Sequence, residues 1–157
     1  MVEAQPISSP MVTNYKLSKS GADIFFYPTL YQSVVGALLY TTIIGPEISF
    51  TINKVCQFIS NPLDTHWVAV KRILRYLKGS ISHGLHLKPT ISGRPLSIRA
   101  LCYVDWVFDV DDHRSTSQVA IYLGPNLVSW WSIKQVVTRS STGAEYRSLT
   151  QATHKTL

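Results

Sequence analysis

Asp64-Thr65-His66-Trp67-Val68-Ala69-Val70-Lys71-Arg72-Ile73-Leu74-Arg75-Tyr76-Leu77-Lys78-Gly79 organises the rest of the chain. Trp67, Val70, Leu74 and Leu77 recur at helical spacing and should face a core. Asp64 or Thr65 can cap the start, and Gly79 is a natural stop. Lys71, Arg75 and Lys78 fall on a neighbouring face, with Arg72 beside them. Cations in the last turns of a helix also complement its dipole, so structure alone could account for them. After Gly79 the apolar period changes from helical to two. Helices are therefore expected before this point and strands after it.

Toward the N-terminus, Asn61-Pro62 should end a preceding helix. That helix carries Ile48, Ile52, Val55 and Ile59 as a buried stripe, and Pro46 suits its first position. An earlier helix is expected from about Leu30 to Ile43, with Val34, Val35, Leu38 and Leu39 on one side. Residues 1–28 are rich in Ser, Pro and polar side chains and read as an arm or linker. Toward the C-terminus, Leu85 and Leu87 alternate with His86, and Leu96, Ile98, Ala100 and Cys102 alternate as a strand. Gln118–Leu123 and Leu127–Ser132 are two more strands, joined by the turn Gly124-Pro125-Asn126 and spaced like a hairpin. Ser140, Ser141 or Thr142 caps a final helix through Ala144, Tyr146, Leu149 and Ala152. The expected fold is α+β: a helical region over 29–80, then three antiparallel strands and one helix over 81–157. Three strands and one helix bury little, so one sheet face should lack cover unless the helical part supplies it.

The chain has 157 residues, 45% hydrophobic and 15% charged, with a formal net charge of +6. That apolar share argues against wholesale disorder. From His66 to Ala100 there are Lys71, Arg72, Arg75, Lys78, Lys88, Arg94 and Arg99, and no acid. Such a stretch favours a polyanion, nucleic acid first; a solvated helix face is the plainer alternative. The acids gather afterwards at Asp105, Asp109, Asp111 and Asp112, and a solvated loop accounts for them. No apolar run can cross a bilayer, and no signal peptide is read at the N-terminus. Cys56 and Cys102 make no disulfide framework and fit a reducing compartment. The histidines show no metal spacing with them, and no glycine loop cradles phosphate. Of Trp130 and Trp131, one ring is expected in the core and the other outside.

Several segments in register resemble the Pol polyproteins of copia-type retrotransposons. Tyr31-Gln32-Ser33-Val34-Val35-Gly36-Ala37-Leu38-Leu39-Tyr40 is similar to the family's Y-R-S-[IV]-V-G-x-L-x-Y segment. Lys71–Gly79 matches its K-R-[IV]-L-R-Y-[LV]-K-G helix. Asp105-Trp106, Asp109, Asp111-Asp112 and Arg114-Ser115-Thr116-Ser117 resemble D-A-D-W-A-G-D-x-x-D-R-R-S-T-S. Ser129-Trp130 resembles I-S-W, and Arg139-Ser140-Ser141-Thr142 with Ala144-Glu145-Tyr146-Arg147 resembles R-S-S-T-E-A-E-Y-R. Ser8-Ser9-Pro10-Met11 is similar to S-T-P-M. The resemblance implies a helical reverse-transcriptase thumb or connection segment over 29–80, then a truncated ribonuclease H-like unit. In the intact family the full protein copies RNA into DNA and degrades the RNA of the hybrid, with magnesium.

The same resemblance shows what the catalytic machinery would lack. The family's polymerase carboxylates, in a Tyr-x-Asp-Asp turn and an earlier strand, have no counterpart here. Tyr103-Val104-Asp105-Trp106 is superficially similar, but Trp106 stands where the second Asp is needed. Ribonuclease H chemistry takes about four carboxylates around two magnesium ions. The family's first ligand aligns with Tyr103, and a phenol cannot replace a carboxylate in charge. Its second aligns with Glu145, and the other two would lie beyond Leu157. Asp105 shares the strand face of Tyr103 but is displaced by roughly 6.6 Å, too far to substitute. Gly143 replaces a Glu and weakens the last helix's start, and Phe108 replaces a Gly. The resulting expectation is a catalytically inactive remnant, intracellular in cytoplasm or nucleus. It binds nucleic acid through Lys71, Arg72, Arg75 and Lys78, needs no cofactor, and touches no membrane. Remaining parts of the polyprotein are further partners to consider. Two alternatives stay open: a plain nucleic-acid-binding module, or a magnesium-dependent hybrid nuclease in which another chain completes the site around Glu145.

Overall fold

Among the described residues, three helices precede a three-stranded antiparallel sheet and a fourth helix, an α+β arrangement. The structure is a computed structural model and describes residues 4–12, 17–21, 23–89, 95–106, 111, 113–137 and 140–156. The chain divides into two units, Met1–Gly84 and Leu85–Leu157.

In the first unit, α1 spans Pro28–Thr41, α2 Pro46–Cys56 and α3 Asp64–Ser80. Pro28 and Pro46 each open their helix, where a missing N–H costs nothing and φ is already helical. Tyr31, Val35 and Leu38 of α1, Ile48, Ile52 and Val55 of α2, and Ala69, Val70 and Ile73 of α3 form one core. Trp67, Leu74 and Leu77 pack against it half-buried. The Tyr31 hydroxyl donates to the Val55 carbonyl at 2.8 Å, tying α1 to α2. Burial, with Cys56 adding to it, pushes the Tyr31 phenol well up from its ordinary value. Burial also raises the Cys56 thiol.

Helix ends depart from the sequence expectations for physical reasons. α2 stops at Cys56 rather than at Asn61-Pro62, and turns over residues 57–60 break the helical period. Phe58 is therefore 2% exposed and takes the core place expected of Ile59, which is 37% exposed. The residue before α3 is Leu63, so neither Asp64 nor Thr65 caps it. Instead the His66 ring reaches back, and its Nδ1 accepts the Leu63 N–H at 3.0 Å. Its Nε2 lies 2.9 Å from the Ser18 carbonyl, and with Nδ1 accepting, Nε2 is the donor. The ring is fully buried and stacks on Phe58 at 3.9 Å between centroids. Gly79 does not stop α3, which continues to Ser80. Its lack of a side chain serves a close approach instead: a Cβ there would stand 3.0 Å from Pro6 Cβ.

In the second unit, β1 (Ile98–Asp105), β2 (Thr116–Leu123) and β3 (Asn126–Lys134) lie in that order, and α4 spans Ser141–Thr156. The hairpin between β2 and β3 turns on Gly124, whose φ of 58° is left-handed and suits glycine. The strand read from Leu96 starts at Ile98 and runs on to Asp105. Leu85 and Leu87 form no strand. There the Asn126 side-chain amide pairs with the Lys88 backbone, accepting at 2.7 Å and donating at 2.9 Å. Cys102, Val119 and Trp131 are opposite one another in the register. They share the face under α4, whose Ala144, Ser148 and Ala152 are buried. Ser140 is the residue that caps α4, accepting the Gly143 N–H at 3.1 Å. Trp131 packs on the small cluster of Val119, Ile121 and Ala152, and Trp130 falls on the other face. On that other face Leu101 and Tyr103 are 60% and 63% exposed.

Candidate functional site

The basic run of α3 does not stand bare. Residues 4–9, which contain no helix or strand, lie along it. Lys78 Nζ donates to the Ala4 carbonyl at 3.0 Å. Arg75 Nε donates to the Gln5 carbonyl at 3.1 Å. The Arg72 guanidinium donates to the Ser9 hydroxyl at 3.1 Å, and that hydroxyl donates in turn to the Met11 carbonyl at 2.8 Å. Arg72 Nε is buried and has no partner among the described residues. Lys71 is exposed. Helical spacing brings the 72, 75 and 78 side chains to one side of α3, where a segment lying alongside meets all of them.

Every one of those acceptors is neutral. The segment Ala4-Gln5-Pro6-Ile7-Ser8-Ser9 contains no acid, and within α3 the only carboxylate is Asp64 at the far end. These oxygens take hydrogen bonds from the cations without bringing negative charge to them. Sequence reasoning missed this contact because residues 4–9 carry no periodic pattern; the glycine at 79, beside Pro6, was the one trace of it.

The positions that bear on metal chemistry are not brought together. Tyr103 follows Cys102, whose Sγ approaches the Ser148 carbonyl of α4 at 3.9 Å. Alternation along β1 puts Tyr103 on the face away from α4. Glu145 sits on α4 just past its first turn, exposed, on the other side of the sheet. Asp105 shares the Tyr103 face. Among the described residues no group of three or more His, Cys, Asp or Glu could hold a metal ion. A pair of magnesium ions wants a ring of hard carboxylate oxygens, and the described side chains do not fit it. Arg94, Phe108, Asp109, Asp112 and Arg139 lie outside the described residues. Among the described residues no helix is long and apolar enough to cross a membrane.

Comparison with known proteins adds homology. The chain is 43% identical over 150 residues to the retrovirus-related Pol polyprotein from transposon RE2 of Arabidopsis thaliana, a match that takes in 95% of this chain and 10% of that one. It is 38% identical to an uncharacterized mitochondrial protein of Arabidopsis thaliana, over 95% of this chain and 61% of that one. It is 37% identical to the secreted RxLR effector protein 161 of Plasmopara viticola, over 80% of this chain and 87% of that one. No protein-family model and no solved structure matches. The chain thus spans about a tenth of the length of the polyprotein it resembles. Over most of its length the chain is homologous to copia-type retrotransposon Pol polyproteins.

Proposed function

We propose that this chain corresponds to the end of a reverse transcriptase and the start of a ribonuclease H region of such a polyprotein, and that it binds nucleic acid without catalysing a reaction. Residues 29–80 are the thumb or connection part in this reading, and residues 81–157 belong to the ribonuclease H-like part. The binding face is α3, with Lys71, Arg72, Arg75 and Lys78 on phosphates. The observation that carries it is the density of charge on that helix: four cations over 71–78, three of them hydrogen-bonded to neutral oxygens. Phosphate contacts of this kind position a duplex without reading its sequence.

The test is binding to an RNA–DNA hybrid across a salt series. Affinity should fall steeply with salt, and replacing Lys71, Arg75 and Lys78 by Ala should weaken it and flatten the slope by about one unit for each phosphate no longer held. Unchanged affinity in the triple variant would defeat the reading. Absence of catalysis is supported by Tyr103 and Glu145 lying on opposite sides of the sheet. The competing reading, a hybrid nuclease completed in trans, draws on the exposure of Glu145. Magnesium-dependent cleavage by the purified chain, abolished by Glu145→Ala, would establish it instead.

A further inference from the structure

We infer that residues 4–9 are an internal competitor for the anion-binding face of α3, a strap that must leave before three of its four cations can reach phosphate. This rests on the nucleic-acid reading above and adds its regulation. The strap takes the donors of Arg72, Arg75 and Lys78 with the Ser9 hydroxyl and the Gln5 and Ala4 carbonyls. Those donors span about 9 Å of helix. Pro6 settles over Gly79, where a Cβ would come within 3.0 Å of it. Strap and phosphate chain therefore compete for the same side of the helix.

The strap is a poor match for that face, which makes it displaceable. Hydrogen bonds from a guanidinium to a neutral oxygen are weaker than those to a phosphate, and a phosphate can take two donors of one Arg together. Arg72 shows the deficit, because its Nε is buried without a partner among the described residues while its other guanidinium donor goes to the strap's Ser9 hydroxyl. A polyanion supplies both an acceptor for that group and the negative charge that the strap's oxygens lack. Lys71, exposed and next to Arg72 in α3, is available for first contact.

The experiment compares binding of a labelled RNA–DNA hybrid by the full chain, by a chain lacking residues 1–9, and by two point variants of the full chain. Removing the strap should tighten binding about tenfold, the worth of about one net hydrogen bond. Gly79→Gln should tighten it in the same direction by pushing Pro6 away. Gln5→Glu should weaken it, since a carboxylate in the strap pairs with the arginines. Hybrid should also speed proteolytic cleavage within residues 4–9 of the full chain. Equal or weaker binding by both the truncated and the Gly79→Gln chains, with the full chain still binding in a salt-dependent way, overturns the strap and leaves the binding reading intact. No binding by any form at low salt overturns both.

Discussion

The helical unit and the sheet unit contrast in how they use apolar side chains. In α1–α3, Tyr31, Val35, Ile48, Ile52, Val55, Val70 and Ile73 are essentially excluded from solvent. Even polar groups there are drawn in and paired, as His66 is. In the sheet unit the buried apolar cluster is Val119, Ile121 and Ala152, with Cys102 and Trp131 at its margin. A shared core forms where three helices pack together. A sheet with one helix has a core on one face, and the other must find a partner or stay wet. Leu101 and Tyr103, more than half exposed, lie on the wet face.

The contrast can be broken most directly at His66. Replacing it by Ala removes a buried ring, strands the Leu63 N–H and deletes the bond to the Ser18 carbonyl. A loss of about 4 kcal/mol is expected, read by chemical denaturation. A loss under about 1 kcal/mol would mean that the helical unit is far looser than its burial indicates. Next is Tyr31→Phe, which deletes the bond to Val55 and should cost about 1 kcal/mol near neutral pH. It should also change the alkaline limb. The folded-state phenol is raised, so above about pH 10 the unfolded chain loses its proton while the native chain keeps it. Stability in the native protein therefore falls with rising pH, by up to about 1.4 kcal/mol per unit from this group, and the Phe variant should lack that slope.

The sheet unit offers smaller effects. Ser140→Ala removes the cap on the Gly143 N–H and should cost about 1 kcal/mol, seen as faster hydrogen exchange in the first turn of α4. The least change is expected at Leu101→Ser, on the wet face of β1. Stability should move by less than about 0.5 kcal/mol, and self-association at high concentration should drop. A destabilisation near 2 kcal/mol would show that this face is covered in solution, and the contrast between the units would be smaller than drawn.

Much of the fold was legible from periodicity. The stripe of Ile48, Ile52 and Val55 marked the inner face of α2, and the alternation after Ile98 marked β1. The errors fell where local pattern and long-range contact disagree. Ile59 continues the period but sits past the helix end, so Phe58 turned inward in its place. Leu85 and Leu87 alternate like a strand, yet no edge pairs with them among the described residues. At the candidate site the four cations and the Tyr at position 103 were readable as residue types. That three of those cations are met by residues 4–9 was not, because carbonyl acceptors leave no mark on the side-chain sequence.

By itself, then, the order of residues determined which segments coil and which extend, where positive charge accumulates, and that a phenol stands at 103. Those are properties of neighbours along the chain, set by side-chain volume, branching and ionisation. Only the tertiary structure decided which cations are engaged, which glycine permits a close approach, and that Tyr103 and Glu145 lie on opposite sides of a sheet. Each of these depends on groups far apart in sequence meeting at hydrogen-bond or van der Waals distance, and no local period encodes that.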